Sequence, residues 1–214
     1  MGFCLLNNVA VAAAALADAG QRVLIVDWDV HHGNGTQAVF WDDPRVLFVS
    51  THQWPLYPGT GRAEEVGGAA ALDLTINIPL PAGATGDVIR HALEVMAGPT
   101  VERFAPDWVL VSCGFDAHRD DPLGGLALSS GDFARLATEV AGYAPAPGRL
   151  VLFLEGGYDL AALRSSASAA IGVLLGAPAT WAPETVNGPG REEVSAAHAN
   201  RVRAVDRAGG PAPL

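Results

Sequence analysis

Arg22-Val-Leu-Ile-Val-Asp-Trp-Asp-Val-His-His-Gly-Asn-Gly-Thr36 is the stretch that decides the fold. It starts as a short, unbroken apolar run rich in β-branched residues and ends among carboxylates, imidazoles and glycines. Unbroken runs of this length read as strands buried on both faces of a parallel sheet, because a half-exposed strand would alternate. The pattern recurs at Val46-Leu-Phe-Val-Ser-Thr51, Trp108-Val-Leu-Val-Ser-Cys113 and Leu150-Val-Leu-Phe-Leu154. Leu74-Thr-Ile-Asn-Ile-Pro79 alternates instead and is expected as an edge or exposed strand. Between these runs the spacing predicts helices over Leu5–Ala19 (stopped by Gly20), Thr85–Phe104, Ser130–Tyr143 and Leu160–Leu175. Ser130 and Asp132 carry N-cap chemistry, and Gly176 a stop signal. Strand and helix alternating at this interval give an α/β domain with a mainly parallel sheet over residues 1–176. Residues 177–214 are rich in Ala, Pro and Gly, with one weak charged helix over Arg191–Arg207, and read as a peripheral extension with a mobile end.

The composition removes several classes of function. Of 214 residues, 50% are apolar and 17% charged, enough for a sizeable core and too apolar for disorder. All 13 cations are arginine, against 23 acids, for a net charge of −10. Without a basic stripe, neither nucleic acid nor an anionic membrane is expected as a direct ligand. The apolar run Phe3–Ala17 holds Asn7 and Asn8 and is too short to span a bilayer. Cys4 and Cys113 sit in apolar surroundings and read as reduced thiols of a cytoplasmic protein.

Open α/β sheets bind ligands at the carboxyl ends of their strands, and the unusual polar residues gather there. After the first strand come Asp27, Asp29, His31 and His32; after the second, Ser50, Thr51 and His52. The third leads to Asp116, His118, Asp120 and Asp121, and the fourth to Glu155-Gly-Gly-Tyr-Asp159. Asp27, Asp29 and His31 are spaced by two, so an extended segment would aim them to one side. Carboxylates converging there repel unless a cation lies among them, and oxygen and nitrogen donors without thiolate suit zinc, iron(II), cobalt or manganese. Asp120 or Asp121 could complete three ligands; either could equally be a turn carboxylate before Pro122. His32, next to His31, is expected to point away into a structural hydrogen bond; His52 and His118 lean toward structure, and His91 and His198 toward a helix surface. Tyr158 follows two glycines that let the backbone bend close to a ligand, where its hydroxyl could serve an oxyanion.

In order along the chain stand Gly2-Phe-Cys-Leu-Leu-Asn-Asn8, Asp27-Trp-Asp-Val-His-His-Gly-Asn-Gly-Thr36, Tyr57-Pro-Gly-Thr-Gly61, Gly114-Phe-Asp-Ala-His-Arg-Asp-Asp-Pro-Leu-Gly-Gly125 and Glu155-Gly-Gly-Tyr158. Together they resemble the zinc-dependent histone deacetylase family, class II-like, which includes acetylpolyamine amidohydrolases and acetoin-utilisation proteins. The resemblance implies a three-layer, arginase-like α/β fold and hydrolysis of an acetylated amine, acetyl-lysine or acetylpolyamine, to free amine and acetate. It implies zinc on Asp29, His31 and Asp121, and Tyr158 as the transition-state donor. It implies a structural potassium ion at Asp27, the carbonyls of Asp29, His31 and Thr51, and the Ser50 hydroxyl. It implies an acyl tunnel walled by Phe3 and Tyr57, with Gly2 near the substrate amide, Leu128 at the rim, and Gly156 and Gly157 beside the substrate.

The family's general base is a His-His pair in a Pro-Gly-His-His segment before the Gly-Phe-Cys motif, which here begins at Gly2. The expectation is therefore a C-terminal portion of a deacetylase domain, without the pair, the first strands or one tunnel wall, and with impaired turnover. The alternative is a non-catalytic metal-binding remnant or acyl-amine binding module. A binuclear hydrolase using Asp27, Asp29, Asp116, Asp120 and Asp121 fits the spacing and not the ordered motifs. The expected partner is an acetylated cationic amine or protein; oligomerisation is left open.

Overall fold

The computed structural model describes residues 5–177 and 181–209. Helix α1 (Asn8–Asp18) starts later than its apolar run because the Asn7 side chain accepts from the Ala10 N–H at 2.9 Å and caps it there. It is followed by β1 (Val23–Asp27), α2 (Asn34–Phe40), β2 (Val46–Gln53), β3 (Thr75–Leu80), α3 (Gly86–Ala92), α4 (Gly98–Phe104), β4 (Trp108–Cys113), α5 (Ser130–Ala141), β5 (Leu150–Leu154), α6 (Leu160–Leu174) and α7 (Arg191–Arg207).

The strands form one five-stranded sheet in the order β3-β2-β1-β4-β5, every pairing parallel. Alternation along each strand divides the core in two. Leu24, Val26, Leu47, Val49, Val109 and Val111 face a large cluster closed by α3, α4 and α5. Val23, Ile25, Val46, Phe48 and Leu110 face a smaller one closed by α1 and by Phe40 of α2. Helices on both faces explain why these strands read as continuous apolar runs, and they make the expected three layers.

Four details differ from the sequence reading. β3 is an edge strand as expected, yet its apolar side chains are buried, because α7 packs against it. α7 is accordingly no loose extension: Val194, Ala197, Arg201 and Val205 are buried. β5, expected to be buried on both faces, is half-exposed, with Leu154 at 66%, because no described strand pairs beyond it. The predicted helix 85–104 is interrupted by a π-helical turn at Leu93–Ala97, where the Gly98 N–H reaches back to the Leu93 carbonyl. Pro99 follows at once, with no N–H and a ring that crowds the preceding turn, and the wider turn accommodates it. Residues 210–214, where the mobile end was expected, lie outside the described residues. None of the described helices is long and apolar enough to cross a membrane.

At α5 the cap is Ser129 rather than Ser130, and Asp132 completes a capping box. The fully buried Asp132 carboxylate also accepts from the Thr185 hydroxyl at 2.8 Å and the Thr185 N–H at 3.0 Å, pinning the segment before α7 to the start of α5. Asp132→Ala strands these donors, so it is expected to lower stability by roughly 2–4 kcal/mol in urea denaturation. A change below about 0.5 kcal/mol, the usual range of a surface substitution, would show that the clamp contributes little.

Candidate metal centre

β1 ends at Asp27, in register with Ser50 of β2 and Ser112 of β4, so it lies mid-sheet at the carboxyl ends. Beyond it the chain leaves the sheet without becoming extended. The Asp29 N–H donates to Asp27 Oδ1 at 3.1 Å, and the His31 N–H to Asp29 Oδ1 at 2.8 Å. Each carboxylate thus accepts from the backbone two residues on, the Asx-turn chemistry natural to Asp. This keeps the two-residue spacing that gathers the side chains, by turns rather than by a strand. The loop is held on both sides: the Trp28 N–H donates to the Ser112 carbonyl, and the Gln53 N–H to that of Val30.

Asp116, from the loop after β4, enters beneath it. Its Oδ1 accepts from the Val30 N–H at 2.8 Å, and its Oδ2 lies 3.2 Å from His31 Nδ1, which is 3.0 Å from Asp29 Oδ1. Asp29, His31 and Asp116 each bring one donor atom within 4.8 Å of the others. Hydrogen bonding to Asp116 and Asp29 pushes the His31 imidazole up to about 10. Burial lifts Asp116 to about 6 despite His31, and burial beside Asp29 raises Asp27 well above the carboxylate range. Glycines close the surround. A Cβ on Gly114 would meet Asp29 Oδ2 at 2.3 Å, one on Gly156 Asp116 Oδ2 at 2.3 Å, and one on Gly33 Asp27 Oδ2 at 2.2 Å.

Asp121 is held apart from this triad. Its Oδ2 accepts from the Tyr158 N–H at 2.6 Å and the Asp159 N–H at 3.2 Å, and its Oδ1 from the Leu123 N–H. It therefore ties the loop after β4 to the loop after β5 and sets the backbone of Tyr158. Gly157, at φ 137°, makes the bend before Tyr158. The Gly156 N–H donates to Asp29 Oδ2 at 3.3 Å. The Tyr57 ring, itself exposed, stands edge-on to His31 with centroids 6.4 Å apart. Leu128, expected at a rim, is fully buried in the large core, its N–H on Ala117 and its carbonyl on Arg119. Gly2 and Phe3 lie outside the described residues. Asp116 is the member of the triad that spacing could not single out, since its part is set by Val30 and His31 on another strand's loop.

His32 and His52, beside the site, have structural work, and His118 Nδ1 accepts from the Asp120 N–H at 3.2 Å. His32 Nε2 bonds Gln37 Oε1 at 2.9 Å and Nδ1 the Thr60 hydroxyl at 2.8 Å, pointing away as expected. His52 Nε2 lies 2.9 Å from the Gly61 carbonyl, which can only accept, so Nε2 carries the hydrogen and Nδ1 takes that of Ser50 at 3.0 Å. The Ser50 oxygen thereby keeps its lone pairs for another partner. Thr51 Oγ1 donates to the Asp27 carbonyl at 3.4 Å. His198 is half-buried rather than on the helix surface, with Nδ1 enclosed.

Residues 1–174 match the family model described as the histone deacetylase domain. The chain is 46% identical over 182 residues to a chloroplastic histone deacetylase 10 of Oryza sativa subsp. japonica, covering 83% of this chain and 41% of that protein. It is 44% identical over 162 residues to a probable deacetylase of Archaeoglobus fulgidus, covering 74% and 45%. The crystal structure of the HDA15 HD domain superposes with a TM-score of 0.82 at 37% identity, over 97% of this chain and 56% of that one. The chain spans less than half the length of these two curated relatives.

Burial, with His32 close by, pushes His52 down to about 3. Its folded value lies below the unfolded one near 6.5, so its contribution to stability is whole above pH 6.5 and is lost as pH falls toward 3. Melting temperature is therefore expected to fall more steeply from pH 7 to 4.5 in the parent than in His52→Gln. Parallel slopes would show that His52 does not set the acid limit.

Proposed function

The chain belongs to the histone deacetylase family, and on that premise we propose that it forms the metal-holding part of a site hydrolysing an acetylated amine, acetyl-lysine or acetylpolyamine, to amine and acetate. The observation that carries this reading is the His31 imidazole held between two carboxylates at the strand ends. The donor set is oxygen and nitrogen without thiolate, and the glycines leave space only for the carboxylates themselves, so the residues fit a divalent ion. Asp29, His31 and Asp121 are the proposed zinc ligands. Asp116, fully buried and bonded to the Val30 N–H, lies with Asp29 on the His31 Nδ1 side and positions the imidazole there. Bound zinc supplies a Lewis acid that polarises an amide carbonyl and acidifies water.

The chain's own residues do the rest. Tyr57 walls the approach beside His31. Tyr158, whose backbone is set by Asp121 and Gly157, donates its hydroxyl to the developing oxyanion. Gly156, with its N–H on Asp29 and no side chain, lets substrate come close. Potassium is the proposed occupant beside buried Asp27, with the Ser50 hydroxyl oxygen and the carbonyls of Asp29, His31 and Thr51. A cytoplasmic setting completes the reading.

Within these 214 residues the one adjacent histidine pair is His31-His32. His31 serves the metal, while both nitrogens of His32 and of His52 are engaged. No imidazole of these three remains to take a proton from water. The chain on its own should therefore turn over an acetyl-lysine peptide about two to four powers of ten more slowly than a family member with a general base. Tyr158→Phe should lower any residual rate by a further 2.7–4 kcal/mol, roughly a hundredfold or more. Ordinary enzyme turnover by the isolated chain would overturn the first statement. Zinc binding without measurable turnover would favour the alternative, a metal-binding module for acyl amines.

The metal is tested by thermal melting with zinc. At a hundredfold excess over Kd, zinc should stabilise the parent by about 2.7 kcal/mol and leave Asp29→Ala unmoved. Asp121→Asn should lose most of the zinc affinity and Asp116→Asn retain more of it. The reverse order would make Asp116 the third ligand, and no shift in the parent would remove the metal site.

A further inference from the structure

The two edges of the sheet are finished differently. β3 carries Pro79 and lies under α7, both of them protections typical of an edge strand. β5, Leu150-Val-Leu-Phe-Leu154, has no proline, glycine or charge, and no described strand pairs beyond it. Two bonds at its ends fix which way its backbone points. The Val109 N–H donates to the Arg149 carbonyl, and the Glu155 N–H to the Cys113 carbonyl. Along a strand, alternate residues turn both polar groups to the same neighbour. Val151 and Phe153 therefore bond β4, while Leu150, Leu152 and Leu154 direct N–H and C=O to the open side.

The side chains around this edge are apolar as well. Val151 and Leu154 are exposed. On the face of the larger core, α6 exposes Leu160, Ile171 and Leu175. On the other face, α1 carries no charge from Asn8 to Ala17 and exposes Val11. An unprotected strand between two such helices is a template for another strand.

We infer that β5 pairs with β5 of a second copy of this chain, antiparallel about a two-fold axis at Leu152. This register matches the backbone. Leu152 lies opposite itself and Leu150 opposite Leu154, so the residues with outward polar groups meet one another and each pair exchanges two N–H···O bonds. Centring on Val151 or Phe153 would place Leu154 or Leu150 opposite a residue outside the strand. The side chains match too. Val151 falls opposite Phe153, and exposed Leu154 opposite half-buried Leu150. Arg149, stacked on the Trp108 ring at 4.6 Å, falls opposite Glu155 of the second copy, and the two-fold axis repeats that pair at the other end. The axis runs perpendicular to the sheet, so both copies keep α1 on one face and α6 on the other. The contact closes at two copies, because each copy uses the same edge.

The test is the mass of the full 214-residue chain by light scattering across a dilution series. Each copy carries a charge of −10, so about 0.15 M salt is used to screen their repulsion beyond roughly 8 Å. A reversible dimer is expected. Leu154→Lys should leave a monomer, and Arg149→Glu, which sets like charges opposite each other twice, should weaken the dimer roughly tenfold. The register is read by oxidation with diamide, beside the parent, whose Cys4 and Cys113 set the background. Leu152→Cys should cross-link above that background, since opposed residues lie about 5.5 Å apart at Cα. Leu154→Cys should not, being displaced from its own copy by roughly 13 Å along the strand. Arg149→Glu and the cross-links decide the matter if Leu154→Lys fails to fold. A monomer at every concentration, assemblies larger than two, or a dimer in which Leu152→Cys cross-links no better than Leu154→Cys would overturn the inference.

Discussion

Negative charge is concentrated where β1 and β4 end, and the surrounding structure answers to that constraint. Asp27 and Asp116 are buried and Asp29 half-buried beside one imidazole, His31. Such a cluster is tolerable in a folded protein only if every oxygen finds a donor or a cation. The backbone supplies donors at Asp29, Val30, His31 and Gly156. The sheet brings those segments together, and glycines at 33, 114 and 156 keep the space around the carboxylates clear. A cation among these oxygens would balance their charge.

That arrangement needs a rigid frame, which the parallel sheet provides. β1 lies between β2 and β4 with apolar layers on both faces, so the loop after β1 is anchored from both neighbours. The buried His32–Gln37–Glu65 and Ser50–His52–Gly61 contacts form a second support beside it. These imidazoles hold the loops and are thereby withdrawn from proton transfer. The frame is uneven at its borders. The β3 edge is covered by α7, whereas β5 leaves Val151 and Leu154 exposed.

α7 shows how an unpromising segment becomes part of a core. Its sequence is charged and only weakly amphipathic, yet Arg201 reaches Asp73 from 128 residues away and shares it with Arg103. The ion pairs orient the helix while Val194, Ala197 and Val205 supply its burial.

The sequence by itself determined the parallel α/β class, its strand positions and the grouping of polar residues at the strand ends. Those features rest on local causes: apolar continuity, capping chemistry, and Asp side chains that bond the backbone two residues on. It also carried the ordered motifs by which Asp29, His31, Asp121 and Tyr158 were singled out. Only the tertiary structure decided that Asp116 completes the triad with Asp29 and His31, that Asp121 bonds the backbone of Tyr158, that Leu128 is core, and that α7 covers β3 while β5 stays open. Each of these depends on segments far apart in the chain, 86 residues for Val30 and Asp116 and 37 for Asp121 and Tyr158. Such contacts leave no periodic trace in the sequence, because they are chosen by where the packed layers bring the loops and not by the residues beside them.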